Sequence, residues 1–516
     1  MVSSITFFIE HLKGGKTAEG LLRLLEYLKS QQTSLRLSII TREPAIASAY
    51  IPFFKEHNIC HLSVFPDTSK QPKILKKWRL KWKRRSYYRA VMKHIQTQDV
   101  LVDYADCQFF HEFLITDSKA LKIGWYHSPI TAYMKQAVLR HRMRLHAYNL
   151  FVCPSEEFAH QLVEFDSTYA GKVRVLNMDS HDSDLHPFIK MLRYAQRVGI
   201  LNFHFEGENY GAILTSYALC KYLNDLGYNT KNIDYIAEFY YGRTASVNLP
   251  SFEKFRTENL PMTAPVLPKH AAWLNHEFDA FIVGSDQVFN TRFIRGERNM
   301  YYLGFTHKPK IAFSASFGTD SFEGTAHEFK NIREHLRQFH RISLREDSGV
   351  AICRDQMGLS AQQIADPVLL IDWDHLCPAD YPAQDRVWYL LRKNIAHLSG
   401  GQNMYQRKEM TVQDWLGAIK HAGCMITDSF HGTLFSIIFS TPFVPVAPPG
   451  VSTARMRSLL SMFHLPEDAI LPVDKKTPID TPWEKHALRV SPEQLAPKLE
   501  ILRKAAHDFI THALDN

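Results

Sequence analysis

The sequence predicts an α/β protein built on parallel sheets and divided into more than one domain. Short apolar runs of strand length alternate with amphipathic stretches of helical spacing along the chain. Its 516 residues exceed what one hydrophobic core organises. A composition of 45% hydrophobic and 22% charged residues is that of globular domains, so the apolar runs belong to packed cores.

The first block opens on the strand-like Ile5-Thr6-Phe7-Phe8-Ile9, followed by Gly14-Gly15 and a helical stretch whose Leu21, Leu22, Leu24, Leu25 and Leu28 share one face. Further strand-like runs are Leu35 to Ile40, Val100 to Tyr104, Lys122 to Tyr126, Leu150 to Cys153 and Val173 to Leu176. Strands returning through helical crossovers pair in parallel. Gly15-Lys16-Thr17 suggests the end of a phosphate-binding loop, but Glu10 stands where its first glycine is required, so that motif is dismissed. The polar stretch Asp179 to Asp184 then separates a second block with strand-like runs at Val198, Ala280, Ile311, Arg341 and Cys424.

Composition excludes several classes. The most apolar window, Leu434 to Ala447, is broken by Ser436, Ser440, Thr441 and Pro442, so no membrane-spanning helix is expected. The N-terminus lacks the pattern of a secretory signal, and a cytoplasmic location is expected. Seven scattered cysteines without a C-x-x-C pair argue against structural zinc and disulfide exchange, and no metal is expected.

Several ordered motifs point to a family. Gly14-Gly15, Trp125-Tyr126-His127-Ser128-Pro129 and Val152-Cys153-Pro154-Ser155-Glu156 make the first block resemble the acceptor-side half of GT-B glycosyltransferases, although no nucleotide-sugar half follows Asn177. The second block carries Asn209-Tyr210-Gly211-Ala212, Gly284-Ser285-Asp286-Gln287, Ala315-Ser316-Phe317-Gly318, Ser343-Leu344-Arg345-Glu346-Asp347, Asp366-Pro367-Val368 and Thr427-Asp428-Ser429-Phe430-His431-Gly432-Thr433. In that order they are similar to the polysaccharide pyruvyl transferase family from Val198 to Leu465. The resemblance implies a Rossmann-like N-terminal domain over 1–185 and a GT-B-like pair of Rossmann-type lobes over 197–370 and 371–516. Between Trp388 and Val412 the chain is shorter than that family implies, so a trimmed C-lobe is expected. The implied reaction moves pyruvate from phosphoenolpyruvate, as donor substrate and without a cofactor, to a sugar hydroxyl pair of a glycan or lipid-linked oligosaccharide.

Such chemistry needs cationic clamps, donors for phosphate and an acid/base group titrating near neutrality. His431 lies between a strand and a helix, where ligands collect in open α/β sheets, and is the expected catalytic acid or partner of the leaving phosphate. Arg345 follows a strand and has the planar fork to grip a carboxylate or phosphate. Gly432 and Thr433 offer helix amides to phosphate, and Ser429 caps the helix or orients His431. Ser285, Asp286 and Gln287 stand at a strand end suited to acceptor hydroxyls, and Asn209, Tyr210 and Gly211 at a helix start suited to close approach of a ligand. Two other readings remain: a glycosyltransferase of glycan assembly, and a non-catalytic scaffold for that assembly.

The formal charge of +8 comes from one segment. Lys70 to Lys93 holds eleven Lys and Arg and no acid; without it the chain would stand at −3. Trp78 and Trp82 share a helical face there, with Lys77 and Lys81 beside them, as in helices that lie on anionic membranes. An equal alternative packs the Trp face against a sheet. No nucleic-acid-binding motif accompanies the charge, so nucleic acid is not an expected partner. The membrane reading predicts that Trp78→Ala with Trp82→Ala reduces co-sedimentation with anionic liposomes; undiminished co-sedimentation contradicts it.

Overall fold

A computed structural model describes the chain apart from residues 1, 10–15, 32–33, 43–49, 65–85, 87, 105, 107–108, 110–111, 114–119, 128–146, 166, 170–171, 177–184, 195, 205–208, 236–249, 295–297, 408–409 and 516. Trp78, Trp82, Lys77 and Lys81 lie outside the described residues. The chain forms two compact units, Met1–Gln196 and Arg197–Asn516. Among the described residues there are three sheets, and all pairings between their strands are parallel. The expected α/β class is what the chain adopts.

In the first unit, β1 (Ser4–Ile9), β2 (Arg36–Thr41), β3 (Cys60–Ser63), β4 (Val100–Asp103), β5 (Leu121–Trp125), β6 (Leu150–Cys153) and β7 (Val173–Val175) lie in the order β3-β2-β1-β4-β5-β6-β7. The reversal beside β1 is that of a doubly wound, Rossmann-like sheet. Strands β1, β4 and β6 are buried throughout, which is why they read as continuous apolar runs. Helix α1 (Lys16–Gln31) sets Leu21, Leu24, Leu25 and Leu28 in the core. Helix α2 (His186–Arg193) adds Phe188, Met191 and Leu192, carrying this unit's core beyond residue 185. At the end of β5 the His127 amide donates to Asp106 (2.8 Å) and its Nε2 lies 3.1 Å from the Tyr104 carbonyl.

The second unit holds two sheets. The larger contains β8 (Arg197–Leu201), β9 (Asn229–Asn232), β10 (Ala280–Val283), β11 (Lys310–Ala315), β12 (Arg341–Leu344) and β13 (Gln362–Gln363) in the order β13-β12-β11-β10-β8-β9. The smaller runs β14 (Val387–Tyr389), β15 (Met425–Thr427), β16 (Phe443–Ala447) and β17 (Leu471–Pro472) in sequence order. After β14, Asn403 takes the place of a strand: its side chain accepts from the Leu390 amide at 3.0 Å and donates to the Leu390 carbonyl at 2.8 Å.

Helices α3 (Tyr210–Asp225), α4 (Val412–Lys420), α5 (Phe430–Ile438), α6 (Ala454–Met462) and α7 (Pro492–Asp515) cover these sheets. One core runs through both lobes. Tyr210 of α3 stacks on Trp415 of α4 with centroids 5.1 Å apart and planes 7° apart, and Trp373 meets Phe435 of α5 edge-on at 4.9 Å. Helix α7 places Phe509 5.9 Å from Phe313 of β11, and Asp515 accepts from the Tyr228 hydroxyl at 2.8 Å. Among the described residues no helix is long and apolar enough to cross a membrane.

Candidate functional site

In parallel sheets the connections after each strand emerge on one edge, and ligands bind in the crevice where strand order reverses. In the second unit that reversal lies at β8, between β9 and β10. The residues following β8 and β10 there meet those following β14 and β15 around a cavity of about 110 Å³. The larger sheet contributes Phe203, Asn209, Asp286 and Gln287; the smaller contributes Arg392, Asp428, Ser429, Phe430 and His431, with Arg455 from α6.

His431 sits in the first turn of α5 and is 6% exposed. Its Nε2 lies 2.9 Å from Thr215 Oγ1 of α3 and 3.6 Å from Asp366 Oδ2. Among the described residues Nδ1 has no hydrogen-bond partner. The ring fits because position 211 is glycine: a Cβ on Gly211 would stand 2.0 Å from Nδ1. Burial opposes ionisation of Asp366, yet the hydrogen bond and charge of His431, with the charge of Arg345, outweigh it and hold this carboxyl below its ordinary value. An ionised Asp366 therefore backs the imidazole.

Arg345 is 3% exposed, and its fork engages the protein itself. Nη1 donates to the Ser285 carbonyl (2.9 Å) and Asp366 Oδ2 (3.0 Å), and Nη2 to Asp286 Oδ1 (3.1 Å). The Phe430 ring lies 4.4 Å from the guanidinium carbon. Burial works against the Arg345 charge, but Asp286, Asp366 and Glu346 outweigh it and raise its pKa. The expected grip on a substrate oxyanion is thus replaced by a grip on the cavity wall, with Asp286 and Asp366 rather than the adjacent Glu346 or Asp347 as closest acids.

The other expected residues divide. Asp286, Gln287, Asn209 and Ser429 line the cavity, although Asn209 also caps α3 by accepting from the Ala212 amide at 3.1 Å. The Ser285 hydroxyl donates to Asp366 Oδ2 at 3.3 Å, behind the cavity wall. Tyr210 points into the core, stacking on Trp415 and donating to the Met410 carbonyl at 3.0 Å, so a ligand contact there is corrected to a packing role. Phosphate at the Gly432 and Thr433 amides is also corrected: the first donates to Ser429 Oγ (3.2 Å) and the second to the Ser429 carbonyl (3.0 Å). Asp428 is fixed by the Leu391 amide (2.7 Å) and Arg392 Nη1 (2.8 Å). Among the described residues no group of three or more His, Cys, Asp or Glu is placed to hold a metal ion.

Residues 209–449 match the polysaccharide pyruvyl transferase family. The resemblance carried by the ordered motifs is thereby borne out over that stretch of the second unit. No curated protein matches the chain. Among solved structures, an Anabaena HepE complex with UDP and glucose aligns at 14% identity over 64% of this chain and 88% of its own, with TM-score 0.26. A glycosyltransferase from Rickettsia africae aligns at 14% identity over 64% and 82%, TM-score 0.25, and an uncharacterised Klebsiella pneumoniae protein at 10% over 56% and 96%, TM-score 0.33. At such scores the fold rests on the sheet orders themselves.

Thr215, Asp366, Arg392 and Arg455 were not singled out as site residues from the sequence. Asp366 was visible within Asp-Pro-Val, where its chain does accept from the Val368 amide at 3.2 Å, the ordinary behaviour of a turn aspartate. Thr215 lies in a buried helix, and nothing local distinguishes Arg455 from the chain's other basic residues. Gly211 gives a test of this site. Replacing glycine by alanine inside a helix ordinarily stabilises by about 0.5–1 kcal/mol, whereas Gly211→Ala must displace the His431 ring and is predicted to cost about 1–3 kcal/mol. Urea unfolding measures this, and a more stable variant would contradict the packing described.

Proposed function

We propose that the second unit transfers pyruvate from phosphoenolpyruvate to two hydroxyls of a glycan, forming a ketal and releasing phosphate. The observation that carries this is His431, whose Nε2 is held by Thr215 and Asp366 while Nδ1 remains unbonded among the described residues at the cavity. An imidazolium backed by a buried carboxylate is a positioned proton donor. Family membership supports the reaction class, and the small cavity suits a three-carbon donor.

In the proposed sequence, Nδ1 protonates the methylene carbon of phosphoenolpyruvate, and positive charge develops at the adjacent carbon. One acceptor hydroxyl adds there and gives its proton to the now neutral imidazole. The carbon–oxygen bond to phosphate breaks with its electron pair leaving on phosphate, and the second hydroxyl closes the ring as its proton passes to phosphate. Asp286 and Gln287, across the cavity, are the proposed contacts for the acceptor hydroxyls. The acceptor class is a glycan or lipid-linked oligosaccharide.

The direct assay is acceptor-dependent phosphate release from phosphoenolpyruvate, with the ketal identified by mass spectrometry. Release should occur with the wild type, and His431→Gln should lower kcat by about 10²–10⁴ without loss of the folded state. No release across a broad acceptor panel would refute pyruvyl transfer, and wild-type turnover in the variant would remove His431 from it. Nucleotide release from nucleotide sugars would instead favour the glycosyltransferase reading.

A further inference from the structure

Arg455 is the second residue of α6, lines the same cavity and is partly buried. Its guanidinium carbon lies 5.7 Å from the Phe430 ring, the ring that Arg345 also approaches. Two guanidinium groups thus share one aromatic side chain, but their surroundings differ. Arg345 is matched by Asp286 and Asp366 at 3.1 and 3.0 Å. Arg392, on the cavity rim, is matched by Asp428 at 2.8 Å. Among the described residues Arg455 has neither a hydrogen bond nor a carboxylate within ion-pair distance.

Burial, followed by the charge of Arg345, pulls the Arg455 pKa down to about 10, so this side chain still carries its charge at neutral pH. The cavity that His431 also lines therefore presents a cation whose fork is not engaged by the described residues of the protein. Carboxylates and phosphates are the groups that a guanidinium meets with two parallel hydrogen bonds. Asp428 is held through both oxygens by the Leu391 amide and Arg392, and Asp286 is held through Oδ1 by Arg345; neither lies within ion-pair distance of Arg455.

We infer that Arg455 is the oxyanion-binding residue of this cavity and sets its specificity for a small acid bearing a carboxylate or phosphate. This deepens the pyruvyl transfer reading by assigning the residue that holds the charged donor, a role that Arg345, whose Nη1 and Nη2 are bonded to Ser285, Asp286 and Asp366, does not take. It places the anion on the α6 side of the cavity, with His431 and Asp286 left to face the reacting carbon and the acceptor.

The test is calorimetric titration of the full chain with inorganic phosphate, pyruvate and phosphoenolpyruvate, using wild type, Arg455→Gln and Arg455→Lys. Phosphoenolpyruvate affinity should fall roughly ten- to a hundredfold in Arg455→Gln, with partial recovery in Arg455→Lys, which restores charge but not the fork. Loss of phosphate binding with pyruvate binding unchanged assigns the group as phosphate; the reverse assigns it as carboxylate. Equal binding of all three probes by wild type and Arg455→Gln overturns the inference, as does absence of binding by the wild type. Should the Gln variant fail to fold, the Lys variant decides by the same comparison. Arg455-dependent binding without ketal formation would refute pyruvyl transfer alone, and undiminished ketal formation by Arg455→Gln would refute the Arg455 assignment alone.

Discussion

A buried arginine charge is tolerable only where acids and carbonyl oxygens replace the water it has lost. Arg345 meets that demand by drawing together Ser285 and Asp286 from the connection after β10 and Asp366 from the turn after β13. Glu346, next to it, binds the Ser316 hydroxyl and the Phe317 and Gly318 amides at 2.8–3.0 Å, adding the connection after β11. Four strand ends of the larger sheet are thus tied at one point. Through Asp366 the same cluster reaches His431, and through Phe430 it reaches the helix that carries it.

The two lobes can share so small a site because they are packed as one body around it. Tyr210 and Trp415 stack across the lobes right beside Gly211, the residue after Tyr210, where the absence of a side chain admits the His431 ring. The pairing explains why Asn209-Tyr210-Gly211 and Ser429-Phe430-His431 occur in one chain: the first motif builds the floor on which the second is laid. Ser429 caps α5, so its role is to start the helix that presents His431.

Much of this was legible in the sequence, and the exceptions have physical causes. Buried strands such as β1, β6 and β10 are apolar on both faces and stand out. Strands β3, β9, β13 and β17 lie at sheet edges, where one side needs no pairing and short polar segments such as Asn229-Thr230-Lys231-Asn232 suffice. His431 was legible because its motif is local. The pairing of Arg345 with Asp286, 59 residues away, and of Thr215 with His431, 216 residues away, exists only after folding. Arg455 was invisible for the same reason, since what distinguishes it is the partner it lacks.

The central claim is that Arg345 and Asp366 act as one buried unit that fixes the wall behind His431. A double-mutant cycle of Arg345→Met and Asp366→Asn, read by urea unfolding, addresses it directly. Each single variant should lose about 3–5 kcal/mol, and the double variant should lose less than their sum by more than about 1 kcal/mol. Additivity within about 0.5 kcal/mol would show that the two residues act independently and would contradict this account.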